Sequence, residues 1–336
     1  MAPLVFPTSM ETGALTPLDR RLPYPAADFD LSALALTVNS RTWGKDESGA
    51  VEALRRARAL GITTFDTVDS PDRSLAEVCL ARAFPRGDPS IVVLTPMGAE
   101  PPRPMVSTAI ERRAPRAPNL RADLAPQHGA THDLFRRLYE VDLPEAGPFG
   151  PPSSPAAPAS GPARVEEIVV LRCRSPEDIA EASRRSPPWV LSGTFSLLDR
   201  TLSDAASRVL GAGFTWIARD TFAGGRLDGS RFVPPTPGTW RTAPRSLRDL
   251  EAEVGTITRL DFLARSKRRT LAQAALHFVH GHPWVATMCI PIPAPERWNE
   301  ILGFGSSPPL EEEERARADA LAGARAVGPF RPEVAG

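Results

Sequence analysis

Lysine and tyrosine are nearly absent from this chain. Among its 336 residues only Lys45 and Lys267 are lysines and only Tyr24 and Tyr139 are tyrosines, and arginine supplies the other 38 of the 40 basic residues. Chemistry that needs an amine or a phenol as acid, base or nucleophile has four candidate side chains in the whole chain. Cysteine is scarce as well. Cys79, Cys173 and Cys289 are scattered with no C-x-x-C pair, which suits a reducing compartment better than a disulfide scaffold. No apolar run reaches the roughly 18 residues of a membrane helix. The opening MAPLVFPTSM lacks the charged start and apolar stretch of a secretory signal. Neither sign of charge is in excess, forty acids matching forty bases, so no broad field argues for nucleic acid or a membrane surface as partner. The expectation is a cytoplasmic protein that meets a small ligand or another protein.

Nucleotide and nucleophile signatures are missing too. Gly44-Lys45 lacks the upstream glycine and following hydroxyl of a P-loop, 222–229 is not a dinucleotide fingerprint, and no G-x-S-x-G elbow occurs. His277, His280 and His282 cluster, but no carboxylate or cysteine shares their segment. They are read as surface histidines near the negative pole of a helix, with no metal site expected. Glu311–Glu314 is read as a solvated acidic face at a helix start.

What is present is an alternation of strand and helix. Asp46-Glu47-Ser48 opens a helix in which Val51, Leu54 and Ala57 recur at helical spacing before Gly61 stops it. Ile62–Thr67 is predicted as a strand, Leu75–Phe84 as a helix and Ile91–Thr95 as a buried strand. Thr131–Leu138 is expected to be helical and Tyr139–Leu143 a strand. Glu167–Cys173, Trp189–Ser192, Phe214–Arg219 and Val285–Ile290 are predicted strands. Pro176–Arg184, Thr201–Leu210, 246–266, Thr270–His280 and Leu310–Ala326 are predicted helices. Residues 1–30 form a Pro-rich N-terminal extension, and 31–336 a single domain. The segment 144–162, PEAGPFGPPSSPAAPASGP, cannot sustain a helix, since each interior proline costs about 3 kcal/mol. The helix between the fourth and fifth strands is therefore expected to be replaced by coil. Strand–helix alternation over this length favours a closed (β/α)8 barrel.

Six segments, in order, resemble the aldo-keto reductase family. They are Gly61-Ile-Thr-Thr-Phe-Asp-Thr-Val-Asp69 with Ala76-Glu-Val-Cys-Leu-Ala-Arg-Ala83, Val92-Val-Leu-Thr-Pro-Met-Gly98, Ser196-Leu-Leu-Asp-Arg200, Ala223-Gly-Gly-Arg-Leu-Asp-Gly229, Thr270-Leu-Ala-Gln-Ala-Ala-Leu276, and Ile290-Pro291 near Pro295-Glu296. The resemblance implies the family's barrel and, for its active members, carbonyl reduction with NADPH by a Tyr tuned by Lys, Asp and His. Carried over residue by residue, it assigns Asp66 to the Asp. It puts Pro71 at the Tyr, Pro96 at the Lys and, through Leu138-Tyr-Glu-Val-Asp-Leu-Pro144, Asp142 at the His. The Ser-Asn pair that holds the nicotinamide amide falls on Arg172-Cys173, the amide-binding Gln on Ser192 and the ring-stacking Tyr on Arg219. Gly224 lies in the segment like the family's glycine loop, and Ile292 replaces the glycine after Ile290-Pro291.

The remaining tyrosines and lysines do not restore the set. Tyr24 lies in the extension, and Tyr139 faces away from Asp142 if Asp142 faces inward. Lys45 and Lys267 sit away from the C-terminal strand ends where such barrels place their chemistry. Three functions stay open: a barrel relieved of redox work that binds or regulates, with no nucleotide cofactor; an NADP-dependent oxidoreductase with an atypical proton donor; and a non-redox lyase or isomerase using mouth carboxylates. Asp66, Asp69, Glu140 and Asp142, with Arg172 and Arg219, are expected at the barrel mouth. They form either an internal charge network or a polar site for a small anionic ligand.

Overall fold

The computed structural model describes residues 20–21, 30–38, 47–70, 73–96, 135–142, 168–184, 189–211, 213–230, 247–264, 269–293 and 295–323. Two short strands, β1 (Arg20–Arg21) and β2 (Asp30–Leu31), pair antiparallel. They lead into β3 (Leu34–Thr37), the first of eight parallel strands. The others are β4 (Thr64–Asp66), β5 (Val92–Pro96), β6 (Arg136–Asp142), β7 (Ile168–Arg172), β8 (Trp189–Thr194), β9 (Phe214–Arg219) and β10 (Val285–Pro291). They follow one another around a closed barrel, β10 pairing back onto β3.

Alternation along each strand divides the apolar side chains between two cores. Ala35, Val92, Leu94, Leu138, Val170, Val190 and Ile217 fill the lumen, and Leu31 of the hairpin packs in the same cluster. Their neighbours Phe65, Val93, Leu191, Trp216 and Ala218 face the helices. Gly193 sits at a tight outer contact. A Cβ there would stand 2.8 Å from the Cys173 carbonyl and 2.9 Å from the Trp216 ring.

The helices are α1 (Glu47–Ala59), α2 (Arg73–Ala83), α3 (Pro176–Ala182), α4 (Thr201–Leu210), α5 (Leu247–Thr258), α6 (Leu271–His280), α7 (Trp298–Leu302) and α8 (Glu312–Gly323). Local chemistry sets their ends. Gly61, at φ +91°, takes the left-handed turn after α1. Ser175 with Asp178 and Thr270 with Gln273 form capping boxes on α3 and α6. No helix among the described residues is long and apolar enough to cross a membrane.

Several expectations need correction. Arg136–Leu138 is strand, the first part of β6, not the end of a helix. Arg137 can lie in a barrel strand because its guanidinium forms a two-pronged pair with Glu77 of α2, both bonds 2.9 Å, on the helix-facing side. The helix expected over 246–266 ends at Thr258, and a single 3₁₀ turn, Asp261–Leu263, follows. The acidic run opening α8 is not wholly solvated. Glu314 is buried on Arg269, whose guanidinium also donates to the carbonyls of Leu263, Pro308 and Pro309 and so ties the C-terminal segment to the barrel. His277 is buried, with Nε2 2.9 Å from Ser307 Oγ, and His282 packs its ring on Phe195, Phe278 and Trp284. The coil expected over 144–162 and most of the 1–30 extension lie outside the described residues, as does the end of the 310–326 helix beyond Gly323.

Candidate functional site at the barrel mouth

Each strand brings a lumen-facing residue to its C-terminal half. Continuing the alternation upward from the lumen core places Thr37, Asp66, Pro96, Glu140, Arg172, Ser192, Arg219 and Cys289 around the mouth. An apolar lumen thus ends in a polar layer, and that layer is organised by Arg219.

The Arg219 side chain is 5 % exposed. From β9 it spans the lumen to strands three places away on either side. Nη1 donates to Asp66 Oδ2 at 3.2 Å and to Asp69 Oδ2 at 2.6 Å. Nη2 donates to Asp66 Oδ1 at 3.2 Å and to Glu140 Oε2. Asp66, fully buried, also accepts from the Thr37 hydroxyl at 3.0 Å and the Val68 N–H at 3.2 Å. Arg172 Nη2 donates to Asp69 Oδ1 at 2.8 Å, and its Nε lies 3.4 Å from Glu140 Oε1. Two guanidinium groups therefore serve three carboxylates.

Burial decides how these groups titrate. Burial pushes the Glu140 carboxyl upward, and although Arg219 and Arg172 oppose it, the group stays above the ordinary carboxylate range. Burial works against the Asp69 charge too, but there Arg219 and Arg172 outweigh it and hold the carboxyl low. Arg219 loses solvation, yet the surrounding carboxyl groups, Asp66 foremost, raise it further above its already high value. Burial pushes the Cys289 thiol up, so it stays protonated beneath the network. Among the described residues, several buried polar atoms of this region have no hydrogen-bond partner: Ser192 Oγ, Thr221 Oγ1, Glu140 Oε1 and Arg219 Nε.

The residues singled out from the sequence are only partly brought together. Asp66, Asp69, Glu140, Arg172 and Arg219 form one network. Asp142 does not join it. Its side chain is 60 % exposed and pairs with Arg174 at 3.0 Å at the rim, so matching it to the family's His puts no group into the mouth. Glu140, two residues earlier, supplies that strand's inward carboxylate. Pro96 stands beside Glu140 in register and offers no titratable group; Pro71 lies outside the described residues. Arg172 and Ser192 are partners across β7 and β8, but Cys173 packs in the outer core, its thiol pushed to about 12 by burial and by Asp178 and Glu140. Gly224, at φ +65°, donates its N–H to Asp220 Oδ1 at 2.6 Å. It belongs to a tight loop in which Asp220 and Ala223 also take the left-handed conformation. Nothing in the sequence alone marks Thr37 or Arg174. Thr37 pairs with Asp66 in the strand register, which becomes visible only once β3 and β4 are aligned.

No protein-family profile matches the chain, and no curated protein matches it in sequence. Solved structures do match. An aldo-keto reductase of Bacillus halodurans in its holo form is 18 % identical, covers 92 % of this chain and 96 % of its own, and has a TM-score of 0.55. The glycerol dehydrogenase of Gluconobacter oxydans is 16 % identical over 93 % of this chain and 98 % of its own, with a TM-score of 0.60. A thermostable aldo-keto reductase in complex with the inhibitor epalrestat is 16 % identical over 90 % of this chain and 99 % of its own, with a TM-score of 0.54. The chain has the aldo-keto reductase fold.

Proposed function

We propose that this barrel has left NADPH-dependent carbonyl reduction and works as a binding or regulatory barrel whose mouth takes a small anionic ligand. One observation carries the reading. The guanidinium of Arg219, at the position the resemblance assigns to the ring that stacks on nicotinamide, is buried and clamped to Asp66, Asp69 and Glu140. Sliding a nicotinamide against that strand would break charge-assisted bonds and leave three carboxylates short of a partner, a cost of several kcal/mol. The surrounding residues do not compensate. Ser192 is too short to reach where a Gln amide would, Cys173 faces the helices, and Pro96 cannot replace an amine. The mouth as built does not fit a nicotinamide cofactor.

The test is turnover. Purified protein with NADPH or NADH and a panel of aldehydes and ketones should consume no reduced cofactor above the buffer rate. An oriented acid is worth roughly 10²–10⁴-fold and correct positioning more, so steady turnover would overturn the reading. A second reading draws on Glu140 alone. A buried carboxyl held above its ordinary range is suited to acid–base work in a non-redox lyase or isomerase. It requires that Glu140→Gln abolish whatever reaction is found.

A further inference from the structure

Asp69 differs from the other carboxylates of the network. Asp66 and Glu140 project from barrel strands and are buried, whereas Asp69 sits in the loop after β4 with its side chain 42 % exposed. One Asp69 oxygen accepts from Arg172 Nη2 at 2.8 Å, the other from Arg219 Nη1 at 2.6 Å. A carboxylate with one oxygen on each of two guanidinium groups is also the way such a pair would hold a free carboxylate. The two arginines do not depend on Asp69 for their positions. Both rise from barrel strands, Arg219 is fastened by Asp66 and Glu140, and Arg172 Nε lies against Glu140.

We infer that Arg172 and Arg219 form a binding site for a small carboxylate, that Asp69 occupies it in cis, and that the ligand binds by displacing the Asp69 side chain. This rests on the reading above that the mouth no longer receives a nucleotide, and it names the class of ligand. Charge supports it, because a bound monocarboxylate restores the balance that Asp69 provides. The arginines hold the Asp69 carboxyl in its ionised form despite burial, so the position favours an anion. Ser192 adds an independent indication. It is the register partner of Arg172, on the lumen face, fully buried, and its hydroxyl has no hydrogen-bond partner among the described residues. A ligand carboxylate lowered between the arginines would meet that hydroxyl, which the tethered Asp69 does not.

The experiment is a thermal melt of the full chain against formate and acetate at constant ionic strength, with chloride and acetamide as controls. Asp69→Ala should melt below wild type, and its melting temperature should rise saturably with formate or acetate but not with either control. Wild type should need at least tenfold more acetate for the same half-maximal response, because Asp69 competes. Adding Arg172→Gln to Asp69→Ala should remove the acetate response. An acetate effect no larger than that of chloride, or one that survives loss of Arg172, would overturn the inference. Should Asp69→Ala fail to fold, acetate in the refolding buffer should recover folded protein, and no recovery would equally overturn it. Cofactor turnover by wild type would defeat the preceding reading while leaving the acetate response of Asp69→Ala to be read on its own.

Discussion

A guanidinium taken out of water costs several kcal/mol unless its neighbours replace the lost solvation. Asp66, Asp69 and Glu140 do this for Arg219. The sign of the pH dependence follows. Burial raises the Glu140 carboxyl in the folded state, so below its ordinary value of 4.5 the group is neutral in both states and contributes nothing. As pH climbs past that value the unfolded chain gives up its proton first and stability falls, until the folded value is passed. Asp69, held low by its arginines, contributes in the opposite sense: its stabilisation is present above its ordinary 3.8 and is lost as pH falls through the folded value. Glu140→Gln should therefore match wild type near pH 4 and gain on it as pH rises toward about 8, by urea denaturation across that range. Parallel profiles would refute this. Asp142→Asn, which alters only an exposed rim pair, should change stability by less than about 1 kcal/mol throughout.

At the scale of elements, the strands and helices legible in the sequence were those whose side chains follow one period. In α1 the buried Ala50, Ala53, Leu54 and Ala57 fall on one stripe, and in β5 and β9 short apolar runs sit between turns. The start of β6 was not legible, because two consecutive arginines argue against a buried strand. What places Arg137 there is an ion pair with a helix residue 60 positions earlier in sequence. That pair is nearly buried on both sides, and removing one partner strands the other. Glu77→Ala should cost about 3–5 kcal/mol, seen as a lower urea midpoint with unchanged slope. Combining it with Arg137→Leu should recover much of the loss. Equal destabilisation by single and double variants would show that the pair does not hold α2 against β6.

For the whole molecule, alternation of strands and helices together with the ordered motifs was enough to specify the barrel. It was not enough to specify what the mouth contains. Asp66 and Arg219 could each be placed at a strand end, but their bond joins residues 153 apart and crosses the lumen. Only the closed strand order tells which ends face each other. Asp142 shows the reverse limit: sequence matching puts it at a functional position, and its side chain stands exposed at the rim, paired with Arg174. If an internal network centred on Arg219 stands where the nicotinamide would lie, equilibrium titration of NADPH and NADH into the wild-type protein, followed by nucleotide fluorescence, should show no saturable binding up to about 1 mM. Saturation in the micromolar range would contradict it.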